Sequence, residues 1–161
     1  MSISARRSLS GPGRPVAVDA TAGVLAFLGV SAVAGGVSMV TGVGAMRPPD
    51  SWLDGIPLVD SWLIPGLVIG AGFGVGSLIT AYGVWRRPRW GWLRPVELVV
   101  GYHWSWLATL LAGLALVVWI VLELAYLPQV SVLQGIYGAI GLALLLLPSH
   151  PAVRRYLALG D

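Results

Sequence analysis

The sequence predicts an all-α, polytopic membrane protein: a bundle of four transmembrane helices with both termini in the cytoplasm. Three observations carry that expectation: four long apolar stretches, too little charge to cover a water-facing surface, and arginines crowded on one side of the stretches. The 161 residues are 57% hydrophobic and 11% charged, with a mean hydropathy of +0.82. A soluble domain carries about 25% charged residues. Each stretch reaches the roughly 20 residues that cross a hydrocarbon core of about 30 Å, and the length suits one domain. All ten basic residues are arginine. Three precede the first stretch, four follow the second and two follow the fourth, whereas only Arg47 lies on the opposite side. The positive-inside rule then places the chain N-in and C-in. Arginine without lysine fits a high-GC bacterial coding bias, so the expected location is a bacterial plasma membrane.

Residues 1–17 read as a flexible cytoplasmic tail of Ser, Gly and Pro with Arg6, Arg7 and Arg14, lacking the apolar content to fold. The transmembrane domain occupies 18–148. Its first span covers about 18–45. A small-x-small site at Ala32-Val33-Ala34 resembles a cleavage site, but the apolar run continues to Met46. That is longer than the 7–15 residues or so of a signal-peptide core, so the span is expected to be retained. The following loop repeats a tetrapeptide, Asp50-Ser51-Trp52-Leu53 and Asp60-Ser61-Trp62-Leu63. Asp and Ser are helix N-cap residues and Trp prefers the membrane interface, so both copies read as anchoring devices.

The second span, about 63–85, carries Gly66, Gly70 and Gly74 at four-residue spacing on one face, with Gly72 and Gly76 as a second pair. Small residues at this spacing let helix backbones approach closely. The expected partner is the first span, whose Gly29, Ala32 and Gly36 row and Ser31 and Gly35 pair offer matching smooth surfaces; sequence leaves open whether one chain or two supply the contact. The third apolar stretch runs from Val96 to Leu127, with its span at about 98–127. At about 1.5 Å per residue it exceeds a bilayer core, so it either tilts or lays its first turns, up to His103, in the headgroup region. Tyr126-Leu127-Pro128-Gln129 makes a tight turn, the fourth span covers about 130–147, and 149–161 reads as a short cytoplasmic tail.

Four places could carry chemistry. Glu123 is a carboxylate inside an apolar helix, sharing a face with Trp119 and Tyr126, and Gln134 and Tyr137 lie in the first turns of the next span, within reach of it. Ionisable groups inside membranes are costly and often functional; here the choice is between a proton or cation site and a hydrogen-bonded hairpin clasp. Arg86, Arg87, Arg89 and Arg94, interleaved with Trp85, Trp90 and Trp92, could hold lipid headgroups, since polybasic juxtamembrane segments gain about 1 kcal/mol per charge at an anionic surface. Glu97, His103 and Ser105 read as interfacial anchors, their six-residue offset placing Glu97 and His103 on different helix faces. Asp19 reads as a helix-start residue at the positive end of the dipole. Without cysteine there is no thiolate chemistry and no Cys-ligated metal, and two histidines are too few for a His-rich metal site. No cofactor or catalytic site is expected. The few charges, held at the membrane, argue against nucleic acid.

Three segments together resemble a group of small, uncharacterised four-span bacterial integral membrane proteins of actinobacterial type. They are Asp60-Ser61-Trp62-Leu63-Ile64-Pro65-Gly66-Leu67, Trp119-Ile120-Val121-Leu122-Glu123 and Leu133-Gln134-Gly135-Ile136-Tyr137-Gly138. The likeness covers residues 20–148 and implies the fold, with no reaction or ligand attached to it.

Three functions then fit the sequence. The first is a non-catalytic accessory or assembly subunit, with a membrane-protein partner or a second copy against its glycine faces. The second is a small transporter or channel component using Glu123. The third is an anionic-lipid-binding or membrane-stress protein acting through the Arg86–Arg94 loop. An enzyme is not expected, because no acid, base or metal site clusters.

Overall fold

The computed structural model describes residues 14–44, 47–57 and 59–159. The tail residues 1–13, with Arg6 and Arg7, lie outside the described residues, as do Ala45 at the end of the first expected span, Met46, Leu58, Gly160 and Asp161. The described residues are mostly helical, with no strand among them. Four helices, Val16–Thr41, Leu63–Arg86, Trp104–Tyr126 and Val132–Ser149, are long and apolar enough to cross a membrane. The chain is a multi-pass membrane protein.

Helix α1, Val16–Thr41, starts after Pro15 and carries Asp19 in its first turn, bridged to Arg14 at 3.1 Å. A carboxylate there meets the positive end of the helix dipole. The helix stops at Gly42, whose φ of 72° lets its N–H bond back to the Ser38 carbonyl. This left-handed cap ends α1 before residue 45. A short 3-10 turn, Asp50–Gly55, follows, with Arg47 bridged to Asp50 at 2.9 Å.

Helix α2 spans Leu63–Arg86. Its opening turn tolerates Pro65, because the first backbone N–H groups of a helix have no intrahelical partner. Its middle, Val68–Val75, is π-helical, a rare geometry otherwise seen mostly as single-turn bulges. Despite the widened turns, Gly66, Gly70 and Gly74 all lie against α1. A β-carbon added at Gly36 would stand 2.5 Å from the Gly66 carbonyl oxygen and from backbone atoms of Gly70, and one at Gly74 would stand 2.9 Å from the Val33 nitrogen. This contact lies within one chain. Gly72, by contrast, faces open space.

The long third stretch is two helices. Helix α3, Arg94–Val100, ends at Gly101 with φ 75°, and α4, Trp104–Tyr126, begins beyond the break. The first turns of this stretch are therefore a separate helix from the membrane-spanning one. Helix α5, Val132–Leu146, is capped by Ser131, whose side chain accepts from the N3 backbone while Gln134 Oε1 accepts from the Ser131 N–H at 2.9 Å. That capping box sets the start of the fourth helix at 132 rather than 130. Residues beyond Pro148, expected as a tail, form helix α6, Pro151–Leu157, with Val153 and Leu157 fully buried. Leu157 and Ala158 then pair with the segment after Gly101: the His103 N–H reaches the Leu157 carbonyl at 2.8 Å.

Two helix pairs result. The α1–α2 pair is seamed by the glycines above, and the α4–α5 pair by Gly113 against Gly141. The pairs join where α2 ends and α4 begins; Gly83 lies under the Trp104 ring, at a separation that leaves no room for a β-carbon. The core of Val18, Leu25, Ala81, Val84, Leu144, Val153 and Leu157 fills this arginine-bearing end. Toward the opposite end the pairs diverge and leave a cleft.

Candidate functional site

At the arginine end, the α2–α3 connection folds over the break between α3 and α4. Arg87 caps α2 in the left-handed region, φ 49°, which turns the chain sharply into Pro88-Arg89-Trp90. Its guanidinium donates to the Ala158 carbonyl at 3.2 Å and lies 5.3 Å from the Tyr156 ring centroid. Trp90 stacks between Trp92 and Trp104, with centroids 5.9 and 4.8 Å away. Arg87, Arg89 and Arg94 thereby line one cavity of about 660 Å³ together with Trp90, Glu97 and His103. Among the described residues neither Arg89 nor Arg94 is in a salt bridge. Arg86 stands apart, stacked 4.9 Å over Trp85.

The floor of this cavity corrects the expectation for Glu97 and His103. Gly101 breaks the helix between them, so the two side chains are not on opposite faces of one helix but meet at the start of α4. Glu97 Oε1 accepts from the Trp104 N–H at 3.2 Å and lies 3.7 Å from His103 Nε2. Both residues are buried, His103 at 3% exposure. His103 Nε2 also faces the Pro88 carbonyl at 3.1 Å, and a carbonyl only accepts, so Nε2 carries the proton. Nδ1 is then the acceptor for the Ser105 hydroxyl at 2.8 Å and the Ser105 N–H at 3.4 Å. Burial holds this imidazole below the usual histidine range; the Pro88 hydrogen bond and Glu97 oppose the shift, and the Arg87 charge reinforces it. The result is a neutral histidine and a carboxylate that together satisfy the free N–H groups of α4.

At the opposite end, Glu123 is half-buried and accepts from Trp119 Nε1 at 2.6 Å. The Gln134 side chain stands beside the carboxylate, with its oxygen committed to the α5 cap. Glu123, Gln134 and Tyr137 all line the cleft between the helix pairs, whose volume is about 630 Å³. Phe73 from the π-helical segment packs edge-on to Trp119 at 6.0 Å. Sequence reasoning missed Phe73 and the cleft itself, because an apolar residue in an apolar span carries no signal until the partner helices are known.

Among the described residues, no group of three or more His, Asp or Glu side chains could hold a metal ion. No protein-family model, curated protein or solved structure matches this chain.

Proposed function

We propose that this chain is a non-catalytic membrane protein that holds an anionic lipid headgroup in the arginine-lined cavity. The observation that supports this most directly is the convergence of Arg87, Arg89 and Arg94 on one cavity, with two of the three guanidiniums unpaired among the described residues. Arginine forks match phosphate geometry, and the stacked tryptophans around them suit the headgroup layer. Among the described residues only one acid, Glu97, lies on the cavity wall, and its Oε1 accepts the Trp104 N–H. The arginine counts add the expected setting: the cytoplasmic leaflet of a bacterial plasma membrane, in line with the likeness to small four-span actinobacterial-type proteins.

The test is native mass spectrometry of delipidated protein titrated with phosphatidylglycerol or with phosphatidylcholine of the same chains. Preferential retention of phosphatidylglycerol, lost in the Arg87→Gln/Arg89→Gln/Arg94→Gln variant, supports the reading. Equal retention of both lipids by the wild type defeats it.

A second reading, an accessory or assembly subunit, is favoured by Gly72. This exposed residue and Gly76 form a four-residue small step on α2, and no neighbouring atom comes within 4 Å of a β-carbon at Gly72. Close helix approach there is open to a membrane-protein partner or a second copy. Mass spectrometry of the extracted complex, with Gly72→Ile as the disrupting variant, separates this from the lipid reading.

A further inference from the structure

The cleft between the diverging helix pairs has a composition that neither the headgroup site nor the glycine seams require. It runs from Leu28 and Leu116, near the middle of the helices, to the Arg47 loop at the end opposite the arginine cavity. Its volume of about 630 Å³ falls in the range of roughly 300–1,000 Å³ typical of small-molecule sites. Most of its wall is aliphatic or aromatic, with Phe73, Trp119 and Tyr137 from three different helices. Against those rings stands Glu123, held by the Trp119 indole.

An apolar pocket with aromatic faces and one carboxylate selects for charge sign. Ring faces attract cations within about 6 Å of the centroid, most strongly where water is excluded. A carboxylate adds attraction to the same sign, and the aliphatic walls favour a body with little hydration to lose. The donors beside Glu123 are the neutral Gln134 amide and Tyr137 hydroxyl, which give an anion no charge to offset the carboxylate. Among the described residues the one cation on the wall is Arg47, which lies in the loop beyond α1 and is bridged to Asp50 at 2.9 Å at the mouth. A small hydrated ion is poorly suited, because the aliphatic surroundings offer few oxygens to replace its water shell.

We propose that this cleft binds a lipophilic monocation: an apolar or aromatic body with one quaternary or delocalised positive charge, seated among Phe73, Trp119 and Tyr137 with its charge against Glu123. The body enters from the membrane or from the Arg47 mouth, and Trp119 Nε1 keeps Glu123 as its acceptor. Ile69 lines the cleft beside Phe73 on the π-helical segment. A larger side chain there fills the volume without touching the charge.

The probe is tetraphenylphosphonium, titrated into purified protein in lipid nanodiscs and followed by tryptophan fluorescence and calorimetry. The neutral comparator is triphenylphosphine oxide. Saturable, one-to-one phosphonium binding is expected in the wild type, at least tenfold tighter than the neutral comparator. Glu123→Gln keeps the acceptor for Trp119 and is expected to weaken phosphonium binding at least tenfold while leaving the neutral comparator unchanged. Ile69→Trp is expected to abolish binding of both, and its thermal unfolding should match the wild type. No saturable phosphonium binding, equal binding of the neutral comparator, or full binding by both variants each overturns the proposal. If Glu123→Gln fails to fold, Ile69→Trp and the neutral comparator still decide it. Triple substitution at Arg87, Arg89 and Arg94 leaves this binding intact, which separates the cleft from the headgroup site.

Discussion

Glu97 Oε1 and His103 Nε2 lie 3.7 Å apart, buried together at the start of α4, although six positions and a helix break separate them. The break at Gly101 is what brings them together. Each then meets N–H groups that the first turn of α4 leaves free, Glu97 the N–H of Trp104 and His103 that of Ser105. The pair fastens the floor of the arginine cavity to the third membrane helix.

Acidification is expected to loosen this end of the protein. Folded His103 binds its proton less readily than the unfolded chain does, because burial disfavours the charged ring. The unfolded state therefore takes up more protons as pH falls through the ordinary histidine value of about 6.5, and stability falls with it. Above that value the contribution is fully present. Thermal unfolding in detergent between pH 5 and pH 8 should show a midpoint that drops on the acid side, and His103→Gln should flatten the profile. An identical acid-side drop in the variant would assign the effect to another group.

Gly101→Ala tests the break directly. A β-carbon there meets nothing within 4 Å, so any cost comes from the φ of 75° alone. About 1–2 kcal/mol is expected, the penalty for a left-handed L-residue. Denaturation midpoints measure it, and an unchanged midpoint would mean that α3 simply continues into α4.

The glycine seam gives a paired comparison on two helices in contact. Gly36→Ala puts a methyl group 2.5 Å from backbone atoms of Gly66 and Gly70, where no side chain can give way, whereas Gly72→Ala enters open space. Overpacking costs about 1–3 kcal/mol, so Gly36→Ala is expected to be destabilised by at least that range. Gly72→Ala should match the wild type. Equal thermal stability of the two variants would contradict the seam.

Single arginine substitutions should divide by position. Arg89→Gln and Arg94→Gln, at the cavity wall, are expected to lower phosphatidylglycerol retention severalfold. Arg86→Gln should leave it unchanged, because Arg86 stacks on Trp85 outside the cavity. A uniform loss across all three would point to bulk surface charge instead of a cavity.

Much of this molecule is readable from residue order alone. Apolar length marks the membrane helices because the hydrocarbon core has a set thickness. Four-residue glycine spacing marks a close-packing face because that spacing is nearly one helical turn. Both signals are local. The separation of Arg86 from Arg87, Arg89 and Arg94 is not, since it depends on one left-handed residue, Arg87, turning the chain. Nor is the meeting of Glu97 with His103, which a continuous helix would forbid, or the burial of Val153 and Leu157 in a segment that reads as a tail. The cleft at Glu123 is the clearest case. Its aromatic walls come from Phe73, Trp119 and Tyr137 on three helices, and only the packing of those helices sets them around one volume. Periodicity reports what each helix buries; how pairs of helices splay is decided by contacts between residues far apart in the chain, where a close approach such as Gly83 beneath Trp104 at one end leaves space at the other.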